Sequence, residues 1–532
     1  MSVLKKASVL IVLSMLSGLL FHISWLPSTG YFIVFIAFVP LLAILELSTY
    51  YNWNKFVAYL FIYLGLLIWN FDVFWIFQIS EIGGLLTILI NTLILSLPFV
   101  FLQFVYQKFK GFYKYLFFIL AYLTMEVLHH KGPLAFPFFT LGNVFGSKPQ
   151  LIQWYEYTGV LGGSAWILII NIIIFKIFDS GLKKNTKSAK LYFSILVFCL
   201  FIPIGISYYI FNNYKEQGEP VKIAAIQTNL DCYDTKYLLR NKQLVDNYLV
   251  TTSLSEKFKP DIIFWPETAI AHGINIDSLK TDLCLLKIRQ QLFSNNHVAL
   301  ITGAVLKQNN SNEYNSLIFL QSSTDEVQIK TKSKCVPFTE YTPYPLLFDI
   351  IKKYIPSLGG YQFSIDGDYG NAVFNNSVDG YLVTPYICYE SAFYNFNLYE
   401  NNKKQFMCTL LNEGWYQNQK VSTQFMYFAA LRSIENRKDN IRSSNIGISC
   451  FISQKGEISH KVSRYDDKII MGNIRANNIT TVFARYSAVY EILVISLFVA
   501  MLLIFIILKS FFKNNYLLKN EYYEKAILST EC

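Results

Sequence analysis

Apolar stretches long enough to cross a bilayer crowd both ends of the chain and are missing from its middle. A spanning helix needs about 20 mostly apolar residues. Seven stretches qualify before residue 212, at roughly 8–26, 30–47, 56–77, 82–106, 115–130, 163–178 and 191–211, and an eighth lies near 488–508. Between them the pattern changes. Short apolar runs of β type alternate with helical periodicity, which predicts a layered α/β domain. The predicted strands are 222–226, 261–265, 298–302, 314–320, 381–388, 406–411 and 447–452, with helices near 237–258, 278–293 and 422–436. The chain therefore divides into a membrane domain at 1–211, a polar domain at 212–486, a last span at 487–510 and a tail at 511–532.

Composition agrees: 53% of residues are hydrophobic and only 15% charged, unlike a soluble protein of 532 residues. The net charge of +10 does not point to nucleic acid, because the lysines flank the apolar spans instead of forming a patch. With the N-terminus inside, inside loops hold Lys5 and Lys6, Lys55, Lys108, Lys110 and Lys114, then Lys183, Lys184, Lys187 and Lys190. The tail adds Lys513, Lys519 and Lys525, while outside loops hold little beyond Lys131 and Lys148. By the positive-inside rule, seven crossings put residues 212–486 on the outer face and both termini in the cytoplasm. The first span follows two lysines as a signal peptide does. No small-x-small site follows it, so it reads as a retained anchor.

Several classes are unsupported. The eight cysteines include no CxxC, the six histidines no HExxH pair, and there is neither GxGxxG nor P-loop, so no metal or nucleotide is expected. Transport calls for ionisable groups within spans and often for inverted repeats. Only Asp72 and Glu126 stand out, and no repeat is visible. Two segments have two readings each. The loop from Lys131 to Gly163, with Phe136-Pro137-Phe138-Phe139, is either a plain connector or a re-entrant or interfacial wall facing the polar domain. Residues 346–360 are either an amphipathic arm on the bilayer or an ordinary packed helix.

The chemistry centres on Val383-Thr384-Pro385-Tyr386-Ile387-Cys388-Tyr389-Glu390. An apolar run ends in a cysteine, where open α/β sheets place their reactive groups. A thiol becomes a nucleophile when something takes its proton and something holds the oxyanion. Glu267, among Phe264, Trp265 and Pro266, is a candidate base. Lys332 and Lys334 compete for the oxyanion role, since on a strand both point to one face. Glu340 holds the lysine or steers a substrate amine. Taken singly, each residue has an ordinary structural explanation. Together a carboxylate, a lysine and a cysteine perform acyl transfer through a thioester, with water, ammonia or an amine as acceptor.

The motifs that carry these residues resemble the nitrilase (carbon–nitrogen hydrolase) superfamily. Phe264-Trp265-Pro266-Glu267-Thr268 is similar to its base motif, Lys332 through Tyr341 to its lysine motif, and Ile387-Cys388-Tyr389-Glu390 to its nucleophile motif. The whole chain resembles the apolipoprotein N-acyltransferase family, the membrane-bound branch. That resemblance implies about eight spans with an extracytoplasmic αββα sandwich in the inner membrane of a bacterium. It selects Lys332, eight positions before Glu340, and assigns Glu267 as base, Lys332 as oxyanion stabiliser and Cys388 as nucleophile. It makes Glu340, Tyr389 and Glu390 supporting residues, with Tyr237 and Trp415 in substrate-binding positions. It also implies a phospholipid donor, typically phosphatidylethanolamine, a diacylglyceryl-cysteine lipoprotein acceptor, and no cofactor. Departures fall at Tyr237, where the family usually has tryptophan, at Thr339, at 412–416 and at Phe425. A tethered amidase using water is the alternative.

Overall fold

The computed structural model describes residues 3–26, 30–106, 111–293, 298–308, 312–344, 363–364, 373–376, 379–396 and 403–528. The 346–360 segment lies outside them.

Among the described residues, seven helices are long and apolar enough to cross a membrane: Lys5–Ser24, Tyr31–Tyr50, Lys55–Gln78, Glu81–Val105, Tyr155–Leu182, Thr186–Asn213 and Val482–Ile507. The stretch expected at 115–130 does form a helix, Tyr113–Lys131, in which every residue from Phe117 to Val127 is buried. It carries Glu126, His129 and His130 and so falls outside the apolar seven. A helix ringed by other helices meets protein instead of lipid and tolerates such groups. The second span is broken around Phe38. Asn171 mends the break, accepting from the Phe38 amide at 2.8 Å and donating to the Val34 carbonyl at 2.8 Å. Backbone freed within a membrane needs such a partner. The last helix runs Val482–Leu528, through the stretch read as a tail. Hydropathy marks where lipid contact ends, not where the helix does.

The polar part is two stacked sheets. The strands are β1 Glu219–Gln227, β2 Ile262–Phe264, β3 Ile270–Asn275, β4 Ala299–Gln308, β5 Asn312–Gln321, β6 Thr324–Thr331, β7 Phe374–Asn376, β8 Tyr381–Ile387, β9 Lys404–Leu411, β10 Asn440–Ser444, β11 Cys450–Ile452, β12 Ile458–Ser459 and β13 Lys468–Ala476. One sheet has the order β13-β1-β2-β4-β5-β6 with β3 beside β4, the other β12-β11-β10-β9-β8-β7. β8, β9 and β10 run parallel, so their carboxyl ends share one edge.

The inner faces meet in an apolar core that includes Ile223, Phe264, Ile301, Phe319, Val383, Phe406 and Ile441. Helices Asn241–Ser253 and Leu283–Leu292 cover the outside of the first sheet through Val245, Tyr248, Leu285 and Ile288. Helix Gln419–Asn436 covers the second through Met426, Ala429 and Ala430. The order helix, sheet, sheet, helix is the αββα sandwich. The other side of that last helix, with Phe425, Phe428, Leu431 and Ile434, belongs to the same hydrophobic core as the membrane helices.

All seven expected strands overlap observed ones, the last shrinking from 447–452 to Cys450–Ile452, and β3, β6, β7, β10, β12 and β13 were not foreseen. β10, Asn-Ile-Arg-Ser-Ser, is fully buried despite its polarity. Its side chains are spent on internal bonds, among them Arg442 to Glu413 and Ser443 to the Ile226 carbonyl. The helix expected from residue 237 begins at Asn241, because turns anchored by Asp231 occupy the preceding residues.

Candidate active site

Cys388 is the first residue beyond β8 and stands half-buried with φ +48°. A left-handed backbone at a residue with a side chain costs of order 1–3 kcal/mol and persists only where neighbours enforce it. Glu390 is the enforcer. Its Oε2 accepts from the Ile387 amide at 2.8 Å and from Lys330 Nζ at 2.6 Å, and its Oε1 from the Ser333 amide at 2.8 Å. Glu390 and Lys330 are wholly buried. One carboxylate thus ties the cysteine turn to the segment that carries Lys332.

That segment is not a strand, which corrects the pairing of Lys332 with Lys334. β6 ends at Thr331. Lys332 is then fixed by its amide, which donates to the Asn315 carbonyl at 2.7 Å. Lys334 turns away, its Nζ lying 5.1 Å from the centre of the Phe393 ring. Lys332 Nζ contacts Glu267 Oε1 at 3.2 Å and Glu340 Oε1 at 2.5 Å. Glu340 Oε2 also accepts from the Val336 amide at 2.8 Å. Burial pulls the Lys332 ammonium down, yet Glu267 and Glu340 outweigh it and hold the group well above its ordinary value. Glu340 is pushed up by burial, against the pull of Lys332.

Glu267 sits in the turn after β2. Oε1 also accepts from Asn315 Nδ2 at 2.7 Å, and Oε2 accepts from the Asn412 amide at 2.8 Å. Three donors from three elements fix the direction of this carboxylate. β4 presses on the turn from behind: at Gly303 a β-carbon would meet the Thr268 nitrogen at 2.3 Å and the Glu267 Cα at 2.6 Å. Burial pushes the Cys388 thiol well above its ordinary value, Glu267 adds to the effect, and Lys332 opposes it. At rest the sulfur keeps its proton, and reaction requires a base at the moment of attack.

Tyr389 points away from this charge cluster into the membrane part. Its hydroxyl donates to the Ala135 carbonyl at 3.0 Å, and its ring lies near Phe136, Phe393 and Phe425. Phe136, Phe138 and Phe139 are buried. Phe138 meets Phe425 and Phe428, and Phe139 meets Trp69. The part of the 131–163 stretch around residues 135–139 is therefore a wall between the membrane helices and the polar domain, not a plain connector, while its last residues already belong to the helix Tyr155–Leu182. Tyr237 and Trp415 pair with each other, ring centres 5.5 Å apart, and the Trp415 carbonyl accepts from Tyr233 Oη at 2.8 Å.

Asn315, Asn412 and Lys236 were not anticipated. Asn315 was detectable as a lone amide inside an apolar strand run, and Asn412 as the polar residue that ends another. Lys236 gives no such signal. Among the described residues, no three of His, Cys, Asp and Glu are grouped to hold a metal ion.

Residues 17–173 match the family model described as apolipoprotein N-acyltransferase N-terminal domain, and residues 222–482 match that of carbon-nitrogen hydrolase. The chain is 24% identical over 503 residues to an apolipoprotein N-acyltransferase of Chlorobaculum tepidum, covering 89% of this chain and 92% of that one. It is 26% identical over 456 residues to an apolipoprotein N-acyltransferase of Aquifex aeolicus, covering 84% and 94%. Among solved structures, an amidase from Nesterenkonia sp. is similar at a TM-score of 0.35 and 11% identity, over 49% of this chain and 93% of that one.

Proposed function

We propose that this chain, which belongs to the apolipoprotein N-acyltransferase family, moves a fatty acyl group from a phospholipid to a lipoprotein through a thioester on Cys388. The acceptor is the α-amino group of an N-terminal diacylglyceryl-cysteine. The observation that carries the mechanism is the contact of Lys332 Nζ with both Glu267 and Glu340 at the edge of the sheets where β8 delivers Cys388.

In the first half-reaction Glu267 takes the thiol proton as sulfur attacks the ester carbonyl of the donor, phosphatidylethanolamine in our reading. Lys332 faces the oxyanion of the tetrahedral intermediate. Collapse breaks the ester C–O bond, Glu267 returns the proton to the departing alkoxide, and a lysophospholipid leaves. In the second, the lipoprotein amine attacks the thioester and gives its proton to Glu267. The C–S bond breaks, the thiolate regains the proton, and an amide remains. Glu340 holds the ammonium of Lys332, Glu390 braces the cysteine turn, and Tyr389 joins the site to the membrane wall. Tyr237 and Trp415 lie at the substrate entrance. The lysine distribution supports an inner-membrane protein with its polar domain on the outer face and both termini inside.

The test is to mix the purified protein with phosphatidylethanolamine and a diacylated lipopeptide. Acyl-Cys388 by mass spectrometry, followed by an N-acylated lipopeptide, is the expected result. Free fatty acid without amide would instead favour a tethered amidase. Turnover retained in Cys388→Ser would overturn the thioester.

A further inference from the structure

One buried cation beside the base takes no part in the reaction above. Lys236 is completely enclosed. Its Nζ donates to the Glu267 carbonyl at 3.0 Å and to Thr268 Oγ1 at 2.8 Å. Among the described residues no carboxylate lies within ion-pair distance of it. Enclosing an ammonium without a counter-ion is costly, so a lysine at this position needs a reason that packing does not supply.

Its surroundings supply one. The turn that Lys236 grips is backbone-strained, with Thr268 at φ +51°. The residues before it form a knot: Asp231 Oδ1 accepts from the Tyr233 and Asp234 amides, both at 2.8 Å, and the Asp231 carbonyl accepts from the Lys236 amide at 2.7 Å. From the same knot Cys232 Sγ donates to Asn412 Oδ1 at 3.1 Å. The Asn412 amide is one of the three donors on Glu267. Tyr233 and Tyr237 both lie against Trp415. One short segment therefore reaches the main chain of the base, a donor to its carboxylate, and the aromatic pair.

We propose that Lys236 is a positioning residue for Glu267, which fixes the base turn through two hydrogen bonds and sets the field at its carboxylate through its charge. This rests on the assignment of Glu267 as the base. The charged or titratable groups facing Lys236 are Cys232 on its own segment and Glu267 across the gap. Burial brings Lys236 down to about 8, against the opposing pull of those two groups. The charge is therefore present at neutral pH and lost as pH rises past that value.

The experiment is single-turnover formation of acyl-Cys388 in the full-length protein in phosphatidylethanolamine micelles, followed from pH 5 to pH 10. Lys236→Gln keeps a donor and removes the charge. The expected result is a rate at pH 7 lower by roughly tenfold or more, since small misplacements of a reacting group act on this scale. The KM for phospholipid stays unchanged, and the acid limb moves to higher pH, because a base that has lost a neighbouring cation takes its proton more readily. The native enzyme also declines on the alkaline side near pH 8, and the variant lacks that limb. A purely structural lysine would move neither limb. If Lys236→Gln cannot be recovered folded, the native profile decides: a flat response between pH 7.5 and 9 overturns the proposal. If native protein forms no acyl-Cys388 at all, the thioester reading has failed. If it acylates normally and Lys236→Gln matches its rate and both limbs, only the role of Lys236 has.

Discussion

Replacing Gly303 by alanine adds one methyl group against the backbone of the base turn and should cripple acylation. Gly303 lies within β4, and its amide donates to the Pro266 carbonyl at 3.2 Å. The new β-carbon would stand 2.3 Å from the Thr268 nitrogen, 2.5 Å from the Pro266 oxygen and 2.6 Å from the Glu267 Cα. All three are backbone atoms, so no rotamer change relieves the clash. Ordinary contact begins near 3.4 Å, so the turn must retreat by about 1 Å at its tightest point. Glu267 would move with it, out of a geometry defined by bonds of 2.7 to 3.2 Å to Asn315, Asn412 and Lys332. A displacement of that size costs about 10²-fold in rate, or roughly 2.7 kcal/mol of barrier. Overpacking adds about 1–3 kcal/mol of lost stability. The assay is the single-turnover rate of acyl-Cys388 formation by intact-protein mass spectrometry, alongside a thermal melt. Gly472→Ala is the control, since its β-carbon meets only the Phe451 ring at 3.3 Å. A Gly303→Ala protein that acylates at the native rate would refute the reasoning.

Because burial and Glu267 raise the Cys388 thiol, alkylation by iodoacetamide should be slow at pH 7.5 and still climb above pH 9. At any one pH, Lys332→Met should react slower, having lost a cation beside the sulfur; peptide mapping of Cys388 reads both proteins. Lys332→Met should also lower acyl-enzyme formation about 10²- to 10³-fold, as loss of an oxyanion donor does, measured by quench-flow with a short-chain phospholipid. Glu390→Gln leaves Lys330 buried and unpaired, and should destabilise the polar domain by about 3–5 kcal/mol in urea pulse proteolysis. The double variant with Lys330→Met should recover much of that loss, and equal instability in both would argue against the ion pair as the brace.

Sequence pattern reveals whatever rests on local periodicity. The apolar spans, the buried run of β8 and the three motif residues were all legible. The edge strands β6 and β13 were not, because a strand with one solvated face dilutes its own signal. β10 was hidden for the opposite reason: its polar side chains are satisfied only by partners distant in sequence, such as Glu413 and Ile226. The expectation that Lys332 and Lys334 share a face failed because β6 ends at Thr331, before either lysine, so alternation does not apply. Lys236 escaped because a surface lysine and an enclosed one are identical as letters. Only the fold, by bringing the residue 231–237 knot against the turn after β2, gives that side chain its surroundings.

Helix Gln419–Asn436 has a consequence for how such a protein can be handled and how it meets its lipids. One flank closes the sandwich, and the other is buried in the bundle. No clean cut exists between the two halves, so a shortened polar domain released from its spans would carry a greasy scar and should precipitate. By the same token the sulfur cannot ride up and down on a tether. Its distance from the membrane helices is set by a rigid strut, and on the proposed reading its lipid substrates must come to it.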